Sequence, residues 1–129
     1  MQSVVVLADE RPNLLTELFY ILGKEGVRVE NMSIEAAGGK TAISILVRDA
    51  NNAKEALAKN GFEIVEKNTM VLRVPDYLRK MENIKNVLAE QKILIKNMRL
   101  IAGNGEKGII ALWVDKPRKA FRLLHEFII

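Results

Sequence analysis

The residues able to do chemistry are few and scattered. His125 is the sole histidine, with Glu126 beside it. A metal centre needs three or four converging ligands, and no such cluster is spelled out. Cysteine is absent, which removes thiolate ligands, disulfides and cysteine nucleophiles together and fits a reducing cytosol. Ser3, Ser33 and Ser44 have no base at a spacing that would activate a hydroxyl. The phosphate signature G-x-x-x-x-G-K-[ST] is absent, and the single G-x-G-x-x-G match, Gly103-Asn104-Gly105-Glu106-Lys107-Gly108, lies between two strand-like runs rather than between a strand and a helix. The pattern points away from catalysis, and no cofactor or metal is expected.

One segment is organised for binding instead. Asp9-Glu10-Arg11-Pro12-Asn13 joins a strand-like run to the start of a long helical pattern. Backbone N–H groups at a helix start lack intrahelical partners, and the helix dipole there favours negative charge. A small carboxylate ligand suits such a place. Asn13 adds a side-chain amide and tolerates tight backbone geometry. The alternative is a plain strand-to-helix turn in which Asp9 is a capping or turn residue. Asn31-Met32-Ser33 is a second candidate, provided that its strand neighbours the first, and its alternative is a bulge that satisfies its own backbone.

The elements that must position these residues alternate regularly. Val4–Ala8 is a short β-branched apolar run, read as a buried strand. Pro12 fits the first helical position, where its missing N–H costs nothing, and Leu14, Leu15, Leu18, Phe19, Ile21 and Leu22 continue the helix as an amphipathic stripe up to Gly23 and Gly26. Residues 27–36 read as a strand whose inward parity flips near Asn31, which predicts a bulge. Gly38-Gly39-Lys40 is a hairpin turn into the strand Thr41–Val47. Asp49 and Asn52 are candidate caps of a short helix, and Phe62–Val65 is a strand. The order then repeats: strand Met70–Val74, helix Tyr77–Gln91, strands Ile93–Ala102 and Lys107–Val114, and a helix opened by Pro117, with a last strand missing.

A fixed offset of 66 residues aligns the halves. Val5/Val71, Leu22/Leu88, Asn31/Asn97, Met32/Met98, Ala36/Ala102, Gly39/Gly105, Ile43/Ile109, Leu46/Leu112 and Asp49/Asp115 coincide, and the parity flip recurs. The fold class is therefore α+β: tandem ferredoxin-like βαββαβ units with antiparallel sheets and helices on one face, the second unit lacking its last strand. The units are expected over 1–68 and 69–129. At about 65 residues each is marginal alone, which favours pairing of units and of chains.

Composition sets outer bounds. The 129 residues are 49% hydrophobic and 28% charged, which is globular rather than disordered. No apolar run approaches the ~20 residues of a membrane helix. The start lacks the basic region and small-residue cleavage site of a signal peptide, so a cytoplasmic location is expected. Basic residues exceed acidic ones, 20 to 16, an excess that reads as spread along the chain. Lys116, Arg118, Lys119 and Arg122 form a basic stripe, either a phosphate or nucleic-acid contact or a solvated helix face. The strands Val4–Ala8 and Thr41–Val47 carry no aromatic for base stacking, which disfavours nucleic acid.

Taken together, Asp9-Glu10-Arg11-Pro12-Asn13-Leu14-Leu15, Gly26-Val27-Arg28-Val29-Glu30-Asn31-Met32 and the stretch from Asp49 resemble the ACT domain. Val74-Pro75-Asp76 and Val114-Asp115-Lys116-Pro117 extend the likeness over nearly the whole chain, as in small stand-alone proteins with two tandem copies. The resemblance implies a non-catalytic regulatory protein that binds a small amino acid at a domain interface, as a homodimer, with a regulated enzyme as a possible partner. It implies ligand contacts from Asp9, Arg11, Pro12, Asn13 and Leu14 and from Asn31, Met32 and Ser33. The family usually has Gly where Asn13 stands. In the second copy Asp76-Tyr77-Leu78-Arg79 has lost both Pro and Gly, so that site is expected to be degenerate. The competing expectation is an oligomerisation or interaction module with a vestigial pocket.

Overall fold

The computed structural model describes all residues, Met1–Ile129. The chain divides into two compact units, Met1–Val65 and Glu66–Ile129. The first contains β1 (Gln2–Asp9), α1 (Leu14–Lys24), β2 (Val29–Ala37), β3 (Lys40–Val47), α2 (Ala50–Lys59) and β4 (Glu63–Ile64). The second contains β5 (Thr69–Pro75), α3 (Tyr77–Glu90), β6 (Ile95–Gly103), β7 (Lys107–Val114), α4 (Pro117–Leu123) and a short 3-10 turn, His125–Phe127. Both are α+β units of ferredoxin-like order, with every strand pairing antiparallel.

In the first unit the sheet order is β2-β3-β1-β4. Apolar side chains alternate along β1 and β3, so that Val4, Val6, Ile43, Ile45 and Val47 share one face. Helix α1 buries Leu14, Leu18, Ile21 and Leu22 against that face, and α2 adds Ala53, Ala56 and Leu57. The helix α2 is capped by Asp49, whose carboxylate accepts from the Asn52 N–H at 3.1 Å, as the sequence led us to expect.

In the second unit the order is β5-β7-β6. Its core joins Leu72, Val74, Ile110, Leu112 and Val114 to Ile84 and Leu88 of α3 and Ala120 of α4. The sheet has three strands, yet the place of a fourth is marked. Ile128 bridges Leu72, and the Ile129 N–H donates to the Val71 carbonyl, just as Ile64 pairs with Val6 and the Val65 N–H donates to the Val5 carbonyl.

The predicted bulge is present, between Val29 and Asn31, and recurs between Ile95 and Asn97. A further bulge at Ile101, between Leu100 and Ala102, has no counterpart in β2. This extra residue corrects the fixed offset: up to Ile34 and Leu100 the units match at 66, and beyond Ile101 they match at 67. The coincidences Ala36/Ala102, Gly39/Gly105, Ile43/Ile109, Leu46/Leu112 and Asp49/Asp115 are thus one residue out of register. Ile43 corresponds to Ile110, with both in the cores, and Asn52 to Lys119. Asn52 donates to the Glu25 carbonyl and Lys119 to the Gln91 carbonyl, each at the end of its unit's first helix.

Candidate functional site

The start of α1 is built by a left-handed residue. Asn13 has φ 64° and ψ 13°, a conformation in which L-residues other than Gly, Asn and Asp are strained. Asparagine meets here the backbone demand that glycine meets most easily. The Asn13 side chain makes no capping hydrogen bond, and the first intrahelical bond runs from the Glu17 N–H to the Asn13 carbonyl at 3.0 Å. The N–H groups of Leu14, Leu15 and Thr16 precede that bond and have no capping side chain.

These three residues face an open cleft of about 360 Å³, lined also by Glu10, Arg11, Asn13, Ile34, Ala36 and Thr41. The volume is within the range of small-molecule sites. Ile34, Ala36 and Thr41 lie on the sheet face that bears the core, for Ile34 pairs with the core residue Ile43 and Ala36 with Thr41. Ile34 is nevertheless 41% exposed, on the edge strand β2 of the sheet. Thr41 is the only buried polar residue of the chain, at 5% exposure.

The charged groups around the cleft are unequally engaged. Arg11 donates to Glu17 at 2.6 Å, and its guanidinium lies 5.9 Å from the centre of the Phe62 ring. The hydrogen bond to Glu17 holds the Arg11 guanidinium above its usual value. Asp9 is bonded to Lys40, its partner across β1 and β3. The Lys40 hydrogen bond and charge hold the Asp9 carboxyl below the usual carboxylate range. Glu10 lines the cleft without an ion pair, its N–H bonded to the Gly39 carbonyl at 2.8 Å.

Of the residues singled out from sequence, Arg11, Asn13 and Leu14 line the cleft. Asp9 stands beside it on β1, paired with Lys40, and Pro12 lies in the loop outside the lining. Asn31, Met32 and Ser33 are not brought to this cleft. Strand β3 separates β2 from β1, and β2 runs antiparallel to β3, so that its end, not its start, meets the end of β1. Asn31 is therefore about 17 Å along the strand from Ala36, at ~3.4 Å per residue. Met32 packs on the core, and the Asn31 side chain accepts from the Met32 N–H at 2.9 Å. Ile34, Ala36 and Thr41 went unnoticed because two are apolar and the third reads as an ordinary strand residue. The antiparallel hairpin was the signal available: it places Thr41 and Ala36 beside Ala8.

The second unit builds the corresponding place differently. The Asp76 N–H donates to the Glu106 carbonyl, as Glu10 does to Gly39, but the helix starts at once afterwards. Asp76 itself holds the left-handed position, with φ 50°. Tyr77-Leu78-Arg79 thus forms an added helical stretch where the first unit has the loop Arg11-Pro12-Asn13.

The basic stripe is partly explained by packing. Lys116 and Lys119 donate to the carbonyls of Lys92 and Gln91 at the end of α3, where cations are favoured. The charge is not spread evenly, contrary to the sequence reading. Met1–Val65 has seven basic and nine acidic residues, and Glu66–Ile129 has thirteen and seven. No helix is long and apolar enough to cross a membrane.

No protein-family model matches the chain, and no curated protein matches it in sequence. Solved structures do match in fold. Protein BT0572 from Bacteroides thetaiotaomicron is 17% identical, with 98% of this chain and 90% of that one covered at a TM-score of 0.51. An unknown protein from Galdieria sulphuraria is 20% identical, with 96% and 90% covered at 0.47. The ligand-free regulatory subunit of aspartate kinase from Thermus thermophilus is 15% identical, with 96% and 90% covered at 0.44. The ferredoxin-like order of strands and helices that the ACT-domain resemblance implies is the order found in both units of this chain, short of the last strand in the second.

Proposed function

We propose that the chain is a non-catalytic regulatory protein of two ACT domains, over 1–68 and 69–129, that binds a small amino acid at the start of α1. The observation that carries this reading is a cleft lined together by Leu14, Leu15 and Thr16, the residues that open α1 without a side-chain cap, by the buried Thr41 and by Glu10. A zwitterion fits that chemistry: its carboxylate takes the helix-start amides, its ammonium takes Glu10, and Thr41 supplies a further polar contact. Arg11, Pro12 and Asn13 shape the loop, and Asp9 with Lys40 fixes its origin.

In this reading a second copy of the chain closes the site, bringing the Asn31-Met32-Ser33 stretch at the start of its edge strand β2 to the ligand across a homodimer interface. Ligand then favours one arrangement of the assembly and passes that preference to a regulated enzyme in the cytoplasm. The test is isothermal titration of the full chain against each of the twenty amino acids. Saturable binding of a small one supports the reading, and silence from all at millimolar concentration contradicts it.

A second reading, an interaction module with a vestigial pocket, draws on the pairing of Arg11 with Glu17 and of Asp9 with Lys40. It expects a stable oligomer and no heat with any amino acid.

A further inference from the structure

The place that is open in the first unit is filled in the second. Counting from the matched pairs Ile34–Ile43 and Leu100–Ile110, the next pair on the core face is Ala36–Thr41 in one unit and Gly103–Gly108 in the other. Across those two glycines lies the side chain of Tyr77, the first residue of α3. A Cβ added to Gly108 would stand 2.7 Å from Tyr77 Cγ, and one added to Gly103 would stand 2.8 Å from the Tyr77 hydroxyl oxygen. The ring therefore spans the pair lengthwise, its base on β7 and its hydroxyl on β6. Glycine inside a strand is unfavourable in itself and marks close approach by another group. Two of them, paired, leave room for one flat ring.

We propose that the second unit carries a site shaped for a single phenol ring, and that Tyr77 occupies it in cis. Phenols are the ligand class it takes when that side chain is removed. Loss of the loop equivalent to Arg11-Pro12-Asn13 is what carries Tyr77 into place, since the helix begins directly after Asp76. The proposal stands apart from amino-acid binding by the first unit and does not need it.

The full chain with Tyr77→Ala is the test, with p-cresol as the probe. The melting temperature falls by about 5–10 °C. Millimolar p-cresol restores it saturably, while the parent chain shows no p-cresol shift. In heteronuclear NMR the Gly103 and Gly108 amides move as p-cresol is added, and those of Leu14–Thr16 stay still. A folded Tyr77→Ala chain that ignores p-cresol overturns the proposal. Should Tyr77→Ala not fold, Gly108→Ala is compared in the parent and in Tyr77→Leu. A large fall in melting temperature with the ring present and a small one without it supports the proposal, and equal falls overturn it.

Discussion

Thr41 stands opposite Ala36 across β3 and β2 and, though only 5% exposed, is part of the lining of the cleft at the start of α1. Beside it in the lining, Ile34 and Ala36 are apolar. The Thr41→Val variant keeps the shape and removes the hydroxyl. Stability by urea denaturation should hold within ~1 kcal/mol, while amino-acid affinity falls about 5- to 10-fold, the worth of one hydrogen bond. Calorimetric titration of parent and variant checks it.

Glu10 is the cleft carboxylate without an ion pair. The Glu10→Gln substitution removes its charge and keeps its size. We expect affinity for a zwitterion to fall about tenfold, the scale of one charge-assisted hydrogen bond of ~1.5 kcal/mol or more. Titration with the deaminated analogue, which lacks the ammonium, should show no difference between parent and variant.

Asp9 and Lys40 give a pH signature. The Asp9 carboxyl is held below its ordinary value of 3.8 by the Lys40 hydrogen bond and charge. A depressed carboxylate contributes stability that is present above the unfolded value and is lost as pH falls through the folded one. Carbon-detected NMR titration should give Asp9 a midpoint below 3.8, and Lys40→Met should return it to about that value.

Lys92 offers a stabilising change. It sits at φ 59° just after α3, where the first unit has Gly26 at φ 70°. Both helices close with the same pair of bonds, Val27 N–H to the Leu22 carbonyl and Ile93 N–H to the Leu88 carbonyl among them. Lys92→Gly relieves a left-handed side-chain penalty of ~1 kcal/mol. Urea denaturation should show a gain of that order.

Much of the fold was legible because its signals are local. The leucine spacing announced α1, Asp49 announced the cap of α2, and the parity flip at Asn31 announced a bulge, whereas Pro12, read as the first helical residue, lies before the N-cap Asn13 and outside the helix. The site was only half legible. Arg11, Asn13 and Leu14 belong to one contiguous loop, which the sequence displays. Ile34, Ala36 and Thr41 join them only through strand pairing, and that pairing turns the start of β2, with Asn31, Met32 and Ser33, toward the other end of the sheet. Tyr77 read as the first residue of a helix, since nothing in its spacing announces two glycines about 30 residues later as its bed. The bulge at Ile101 was hidden by chance identities at the wrong register.

The central claim is that the amides opening α1 receive a guest. Titrating isotope-labelled full chain with each of the twenty amino acids, and following the Leu14, Leu15 and Thr16 amide resonances, reads it at the atoms concerned. The account predicts saturable shifts at those three positions with at least one small amino acid, diminished by Thr41→Val. Resonances that stay fixed through millimolar additions of all twenty would contradict it.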